Sequence, residues 1–318
     1  MQLSAWATAA LVLAAFAAGL VDAVAGGSGV IAVPALLAAG LPPHLALGTN
    51  KAQGVFGTFA STLSYARAGL LDRKRARVTF PLGLAGSLCG AALVLLVRPS
   101  TLRPIVLVLL VVAAVVIALR PRLRLARQHN ALPVVPAPPR DSIPPGTHAP
   151  PRESAPPGTH AVPRESAPPR AHASPRKSAL PGPHASRYDP APFGARAPRL
   201  VAATVALVLG CYDGFFGPGA GTFLILALAF LFDLPLQRAS ADAKPINFAS
   251  NLAALALFSA RGAVLWKLAL PMAAAQFAGA FLGAHLAVRG GDRVVRLVML
   301  MVVLTLVAKL AADTFQAP

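Results

Sequence analysis

Two short stretches decide the fold: GLVDAVAGGSG at residues 19–29 and GCYDGFFGPGAG at residues 210–221. Each stretch places one Asp and a cluster of glycines inside a long apolar run, and their first residues lie 191 positions apart. A glycine inside a helix costs about 1 kcal/mol and a proline about 3 kcal/mol relative to alanine. Each stretch therefore predicts a break in an apolar helix.

The composition predicts an all-α polytopic membrane protein. Of the 318 residues, 56% are hydrophobic and 13% are charged, whereas soluble domains carry about 25% charged residues. Uncharged runs of roughly 20 residues match a bilayer core about 30 Å thick. The apolar segments fall at about residues 3–25, 30–39, 45–66, 78–97 and 102–119, and again at about 199–216, 220–232, 240–260, 265–288 and 293–312.

The apolar halves predict an internal repeat of about four transmembrane helices. Asp22 corresponds to Asp213 and Lys51 to Lys244, at spacings of 191 and 193 residues. In each half, the glycine-rich stretch breaks the first helix and is followed by an apolar run about half a membrane span long. Such a run predicts a half-helix that starts near the middle of the bilayer.

The repeats define three predicted regions: residues 1–119, 120–198 and 199–318. The middle region repeats a Pro-, Ala-, Ser- and Arg-rich motif every 12 residues, beginning PPGTHAPPRESA at residue 144. Such a composition cannot bury enough apolar surface to offset its ordering entropy. We therefore expect a disordered Pro/Arg-rich linker with polyproline II character, on the cytoplasmic side.

The basic loops predict the topology, because Lys and Arg retain short loops in the cytoplasm. Residues 67–77 and 120–127 are strongly basic, and Arg261 and Lys267 bracket the loop that matches the first of these. If each glycine-rich segment turns back, each half has four spans and the repeats are parallel. If the half-helices cross fully, each half has five spans and the repeats are inverted. The loop charges favour the parallel arrangement, and both alternatives remain open.

The two breaks predict a substrate site. Non-helical backbone within a membrane must line protein or water, and the N-terminus of a half-helix attracts anions. Paired broken helices in two repeats mark the binding site of a transporter. The predicted substrate-binding residues are Gly26, Gly27, Ser28, Gly29, Asn50, Lys51, Gly217, Gly219, Gly221, Lys244 and Asn247, with the amides of Gln53 and Asn251 nearby.

The charged residues beside the breaks allow two interpretations each. Asp22 and Asp213 either couple transport to a proton or cation, because intramembrane carboxylates are usually functional, or cap the unwound backbone. Lys51 and Lys244 either hold an anion as point charges or are interfacial lysines that snorkel to the headgroups.

Together, AGLVDAVAGGSGVIAVPALLAAGLPPHLALGTNKAQG (residues 18–54) and GCYDGFFGPGAG resemble the sulfite exporter TauE/SafE family of bacterial inner-membrane proteins. The resemblance covers residues 3–119 and 199–312 and leaves out the linker. It implies two four-helix repeats and a substrate such as sulfite, thiosulfate or a small organosulfonate. Ser28 departs from the family's usual run of glycines, and the linker is longer than is typical.

We therefore expect a bacterial inner-membrane exporter of small anions that works by alternating access. No cofactor, metal site or nucleic-acid partner is expected, because the net charge of +18 lies largely in loops and the linker and no binding motif accompanies it. The alternatives are a cation or metal transporter, a membrane scaffold acting through the linker, and an aspartyl enzyme using Asp22 and Asp213. The sequence leaves a homo-oligomer open.

Overall fold

The computed structural model describes residues 4–98, 100, 101, 105, 108 and 196–315, and these residues form helices joined by short turns, without β-strands. The linker predicted at 120–198 lies outside the described residues, except that its last three residues already belong to a helix. The predicted apolar segment 102–119 also lies almost entirely outside them. The helices are α1 (Ala5–Ala25), α2 (Gly29–Ala38), α3 (Pro43–Arg67), α4 (Arg73–Leu96), α5 (Arg196–Phe215), α6 (Ala220–Leu231), α7 (Leu236–Ala260) and α8 (Trp266–Phe315, with a break at Gly291).

Four of these helices are long and apolar enough to cross a membrane: Ala5–Ala25, Arg73–Leu96, Ala197–Phe215 and Trp266–Val298. The described residues are therefore all-helical, and their candidate spans agree with the predicted multi-pass membrane protein. The helices α3 and α7 have 25 residues each, but they carry polar side chains along their length and do not qualify by composition. Those side chains are largely buried among the other helices.

The half-helices form where the glycine clusters predict them. They have 10 residues in α2 and 12 in α6. The short helix α2 turns back along α1, because Leu36 and Leu41 pack in one apolar cluster with Leu11 and Ala15. The helix α3 therefore begins at the same end of the bundle as α1.

The helices α3 and α7 cross in opposite directions. The hydroxyl groups of Tyr65 and Ser240 lie 3.4 Å apart, near the end of α3 and the start of α7. Gly48, near the start of α3, packs against Phe258, near the end of α7. The loops that follow these two helices therefore lie at opposite ends of the bundle.

This packing contradicts the parallel arrangement, in which α3 and α7 would run in the same direction. The prediction failed for two physical reasons. The turn from α1 into α2 returns the chain to the end at which α1 began, which removes one crossing from the predicted count. The second loop also carries only Arg261 and Lys267, too few charges to fix its side of the membrane.

Glycines bring α4 into close contact with α5, and α1 with α8. A Cβ atom on Gly86 would overlap the backbone oxygen of Leu207, and one on Gly279 would overlap that of Phe16. Small residues allow such close approach between membrane helices. The first helix of each half therefore packs against the fourth helix of the other half: α1 packs against α8, and α5 packs against α4.

Replacing Gly86 by Val is expected to destabilise the protein by about 1–3 kcal/mol, the usual cost of overpacking. The added Cβ atom meets backbone atoms of α5, which no rotamer change can move away. The matched control is Ala92→Val on the exposed face of the same helix, where the larger side chain has room. Thermal unfolding in detergent measures both, and an equal loss in the two variants would contradict the close packing.

Candidate functional site

The two glycine-rich breaks pack directly against each other. Gly26 has a φ of 74° and Gly217 a φ of 91°, which favour glycine. A Cβ atom on Gly26 would overlap the backbone of Gly221. Thr222 donates its hydroxyl hydrogen to the backbone oxygens of Ala25, at 3.0 Å, and Gly26, at 2.8 Å. The start of α6 is therefore hydrogen-bonded to the break that precedes α2.

A small cavity lies at this junction. Its free volume is about 10 Å³, which is close to the minimum that holds one water molecule. A ligand larger than one water molecule would therefore need the two breaks to separate. The cavity is lined by Asp22, Gly27, Ser28, Gly29, Asn50, Lys51, Asp213, Gly217, Gly221, Asn247 and Asn251.

Most of the predicted site residues meet in this cavity. Among the predicted substrate-binding residues, Gly26, Gly219 and Lys244 do not line it. Asn251 does line it, although the sequence indicated it only as a nearby amide. It lies on α7 one helical turn after Asn247, so its position follows from helical periodicity once Asn247 is placed.

Two buried ion pairs cross between the halves of the chain. The Lys51 Nζ atom lies 2.6 Å from Asp213 Oδ1, and Lys244 Nζ lies 3.3 Å from Asp22 Oδ2. Lys244 also donates to the backbone oxygen of Asp22. Lys51 is 2% exposed and Lys244 is fully buried, so the snorkelling interpretation is wrong for both.

The two carboxylates have different surroundings. Asp22 Oδ1 accepts hydrogen bonds from the backbone nitrogens of Gly27, at 3.0 Å, and Ser28, at 3.2 Å. Asp22 therefore caps the first break while its other oxygen binds Lys244. For Asp213, Lys51 is the partner of the carboxylate among the described residues. The two carboxylates are bound to different lysines, which is unlike the shared proton of an aspartyl dyad.

Both half-helices present their N-terminal ends to this region. The N-cap residues are Ser28 for α2, whose hydroxyl makes no capping hydrogen bond, and Gly219 for α6, which has no side chain to form one. Gly29 and Gly221, in the first turns of these helices, line the cavity. Backbone N–H groups in a first turn have no partner within their own helix and form the positive end of its dipole.

The start of α4 carries a second buried charge cluster, which the sequence did not reveal. Arg75 is 2% exposed and pairs with Asp242 of α7. Asp242 also accepts a hydrogen bond of 2.8 Å from the backbone nitrogen of Asp72, and the guanidinium lies 4.6 Å from the ring centre of Phe232. The sequence counts Arg75 among the basic charges of residues 67–77, but it does not reveal this pair, because Asp242 lies 167 residues away.

Replacing Arg75 by Met is expected to destabilise the fold by about 3–5 kcal/mol, because Asp242 would remain buried without its cation. Adding Asp242→Asn, which removes the second charge, is expected to restore much of this loss. The matched control is Arg77→Met, which changes an exposed charge two residues further along α4. If Arg75→Met melts at the same temperature as Arg77→Met, the buried pair contributes nothing.

Comparison with known proteins relates this chain to membrane transporters. Residues 11–310 match the model of the family described as "Sulfite exporter TauE/SafE". The "Probable membrane transporter protein ORF9" of a Sinorhizobium species is 32% identical over 303 residues, covering 95% of this chain and 92% of the relative. The "Probable membrane transporter protein YfcA" of Escherichia coli K12 is 28% identical over 304 residues, covering 96% and 89%.

A third relative, a "Probable membrane transporter protein" of Haemophilus influenzae, is 27% identical over 298 residues, covering 94% of this chain and 92% of its own. No solved structure matches the chain. The relatives and the apolar helices agree in indicating a membrane transporter rather than an enzyme. The match extends over nearly the whole sequence, so the chain belongs to the sulfite exporter TauE/SafE family.

Proposed function

We propose that this protein exports small oxyanions, of the sulfite, thiosulfate or organosulfonate type, across the bacterial inner membrane. The observation that carries the proposal is the cavity between the breaks, where a lysine, three Asn side chains and the first turns of two half-helices meet. Each of these groups offers N–H donors. An oxyanion accepts such hydrogen bonds with all of its oxygen atoms.

The cationic groups at the cavity support an anionic substrate, since the two carboxylates that also line it are each paired with a lysine. The ammonium of Lys51 lines the cavity and acts as a point charge, while the two half-helices add the positive ends of their dipoles. The family also carries the name of sulfite export. A substrate anion would replace the Asp213 carboxylate on Lys51. Lys244 does not reach the cavity, so the anion binds one lysine and not two.

We propose further that the halves are inverted repeats, residues 1–119 and 199–318, joined by the linker 120–198. The matched glycine contacts of α1 with α8 and of α5 with α4 support this arrangement. So do the opposite directions of α3 and α7. Inverted repeats produce alternating access when the halves exchange conformations around a fixed site.

Transport by purified protein in proteoliposomes tests the function. Labelled sulfite, thiosulfate and ethanesulfonate are loaded inside, and their release is compared with that from protein-free vesicles and with the release of labelled glucose as a neutral control. We expect faster release of at least one of the anions and no change for glucose. Folded protein that releases none of the three would overturn the proposal.

A cation transporter is the second candidate, because Asp22 and Asp213 also line the cavity. Both carboxylates are already paired with lysines, which disfavours a bound cation. The same vesicles loaded with labelled rubidium or zinc distinguish the two functions. Release of a cation without release of any anion would favour this second candidate.

A further inference from the structure

We propose that Asp213, and not Asp22, accepts the proton that moves with each anion, so that the outward gradient of the anion drives export of both. This inference rests on the proposed function and adds the identity of the coupling ion and its binding residue. It starts from the difference between two residues that occupy matching positions in the sequence. Matching positions do not have matching surroundings in the fold.

Asp22 is held in a structural role. One carboxylate oxygen accepts two backbone N–H groups of the first break, from Gly27 and Ser28. The other lies 3.3 Å from Lys244, whose ammonium is fully buried and also binds the Asp22 backbone oxygen. Protonating Asp22 would disturb these contacts together, and no cavity-lining cation would be released by it.

Asp213 is positioned so that it can give up its ion pair with Lys51. Among the described residues its partner is Lys51, whose Nζ atom lies 2.6 Å from Asp213 Oδ1. Both residues line the cavity. The second break is also not capped by this carboxylate in the way that Asp22 caps the first. The nitrogens of Phe216 and Gly217 bond instead to the backbone oxygen of Tyr212. Asp213 can therefore release Lys51 without unfolding the break.

Anion binding and proton binding at this pair must be linked. An anion that takes the place of Asp213 on the Lys51 ammonium leaves the carboxylate without its counter-charge and close to a second negative charge. In a buried site such like charges repel strongly. A proton on Asp213 removes the repulsion, so each ligand increases the affinity for the other.

The neighbouring charged and titratable groups do not offer another acceptor. Lys51 on α3 and Lys244 on α7 are the cations of the two ion pairs, and Asp22 on α1 is held as described. The half-helix α6 contains no titratable residue. The remaining groups on the adjacent helices are His44, Tyr65 and Arg67 on α3, Arg196, Arg199, Cys211 and Tyr212 on α5, Cys89 and the basic residues at the start of α4, and Arg238 and Asp242 on α7. Asp242 pairs with Arg75, and His44 lies within hydrogen-bond distance of the backbone oxygen of Val94. The Tyr212 hydroxyl donates to the backbone oxygen of Pro218 at 2.9 Å.

Simultaneous measurement of anion and proton release tests the inference. Vesicles contain a pH-sensitive dye and either labelled ethanesulfonate or labelled thiosulfate, which stay ionised near neutral pH and carry no proton themselves. Potassium with valinomycin holds the membrane potential at zero. We expect one proton per anion for the wild type. Anion release without protons would overturn the inference and leave the proposed function intact, whereas no anion release at all would defeat the function itself.

Variants then identify the acceptor. Asp213→Asn is expected to reduce the ratio of protons to anions to about zero, and Asp213→Glu is expected to keep it at one. Asp22→Asn is expected to keep the ratio at one, whatever its effect on rate or yield. Loss of the ratio in Asp22→Asn, or its retention in Asp213→Asn, would overturn the assignment.

A second measurement needs no variant. If one proton binds with each anion, the half-saturating ethanesulfonate concentration for the wild type should increase by up to tenfold for each unit of increasing pH. A half-saturating concentration that does not change between pH 6 and pH 8 would contradict the linkage.

Discussion

Replacing Lys51 by Gln is expected to reduce anion flux about 30-fold or more. Lys51 is the lysine that lines the cavity, and its ammonium is buried within 2.6 Å of Asp213. Truncating one partner of a buried charge pair costs about 2–5 kcal/mol, and each 1.4 kcal/mol corresponds to a factor of ten. Glutamine keeps hydrogen-bonding groups near this position but removes the positive charge that an anion needs.

Two further variants control this experiment. Lys267→Gln changes an exposed lysine, and it should transport at the wild-type rate. Lys51→Arg keeps the positive charge, and it should retain more flux than Lys51→Gln. Release of labelled anion from proteoliposomes, normalised to folded protein, measures all three. Wild-type flux in Lys51→Gln would show that the substrate does not bind this ammonium.

Replacing Lys244 by Met is expected to destabilise the protein by about 3–5 kcal/mol. The side chain is fully buried and binds both the carboxylate and the backbone oxygen of Asp22. Its removal leaves a buried carboxylate at the break without a cation. Native proteins are stable by about 5–15 kcal/mol, so the yield of folded protein should decrease sharply.

The matched comparison is Lys51→Met, at the corresponding position of the first half. It should destabilise the protein less, because water in the cavity can reach Asp213. Adding Asp22→Asn to Lys244→Met should restore part of the lost stability by removing the unpaired charge. Thermal unfolding in detergent measures each variant. Equal melting temperatures for Lys244→Met and the wild type would contradict the structural role of this pair.

The sequence predicts the breaks and the half-helices because their causes are local. Glycine and proline disfavour a helix wherever they occur, so the ends of α1 and α5 follow from the residues themselves. The repeat then relates Lys51 to Lys244 and Asp22 to Asp213. The lysines and carboxylates could be selected in this way because charged residues are costly within a membrane.

The pairing of these residues could not be predicted, because it depends on how the halves pack. Each lysine binds the carboxylate of the other half, and the partners lie 162 and 222 residues apart. Sequence symmetry suggested two equivalent lysines at the substrate. In the fold, Lys51 lines the cavity, whereas Lys244 binds the backbone and carboxylate oxygens of Asp22 beside the first break.

The direction in which each helix crosses the membrane also could not be predicted from the sequence. Loop charge is a weak signal when a loop carries only Arg261 and Lys267. The side of a membrane on which a loop lies depends on every preceding crossing. One segment that turns back, as α2 does, changes the side of all later loops.

Chemical accessibility of the cavity gives the most direct test of the central claim that a small anion binds between the two breaks. Ser28 lines the cavity, and Ser28→Cys adds a thiol there in a background of Cys89→Ser and Cys211→Ala. A charged methanethiosulfonate reagent is applied from each side of the vesicle membrane, with and without saturating sulfite, thiosulfate or ethanesulfonate. The account predicts labelling from both sides, and slower labelling when a transported anion is present. Labelling at an unchanged rate in the presence of an anion that the protein transports would contradict it.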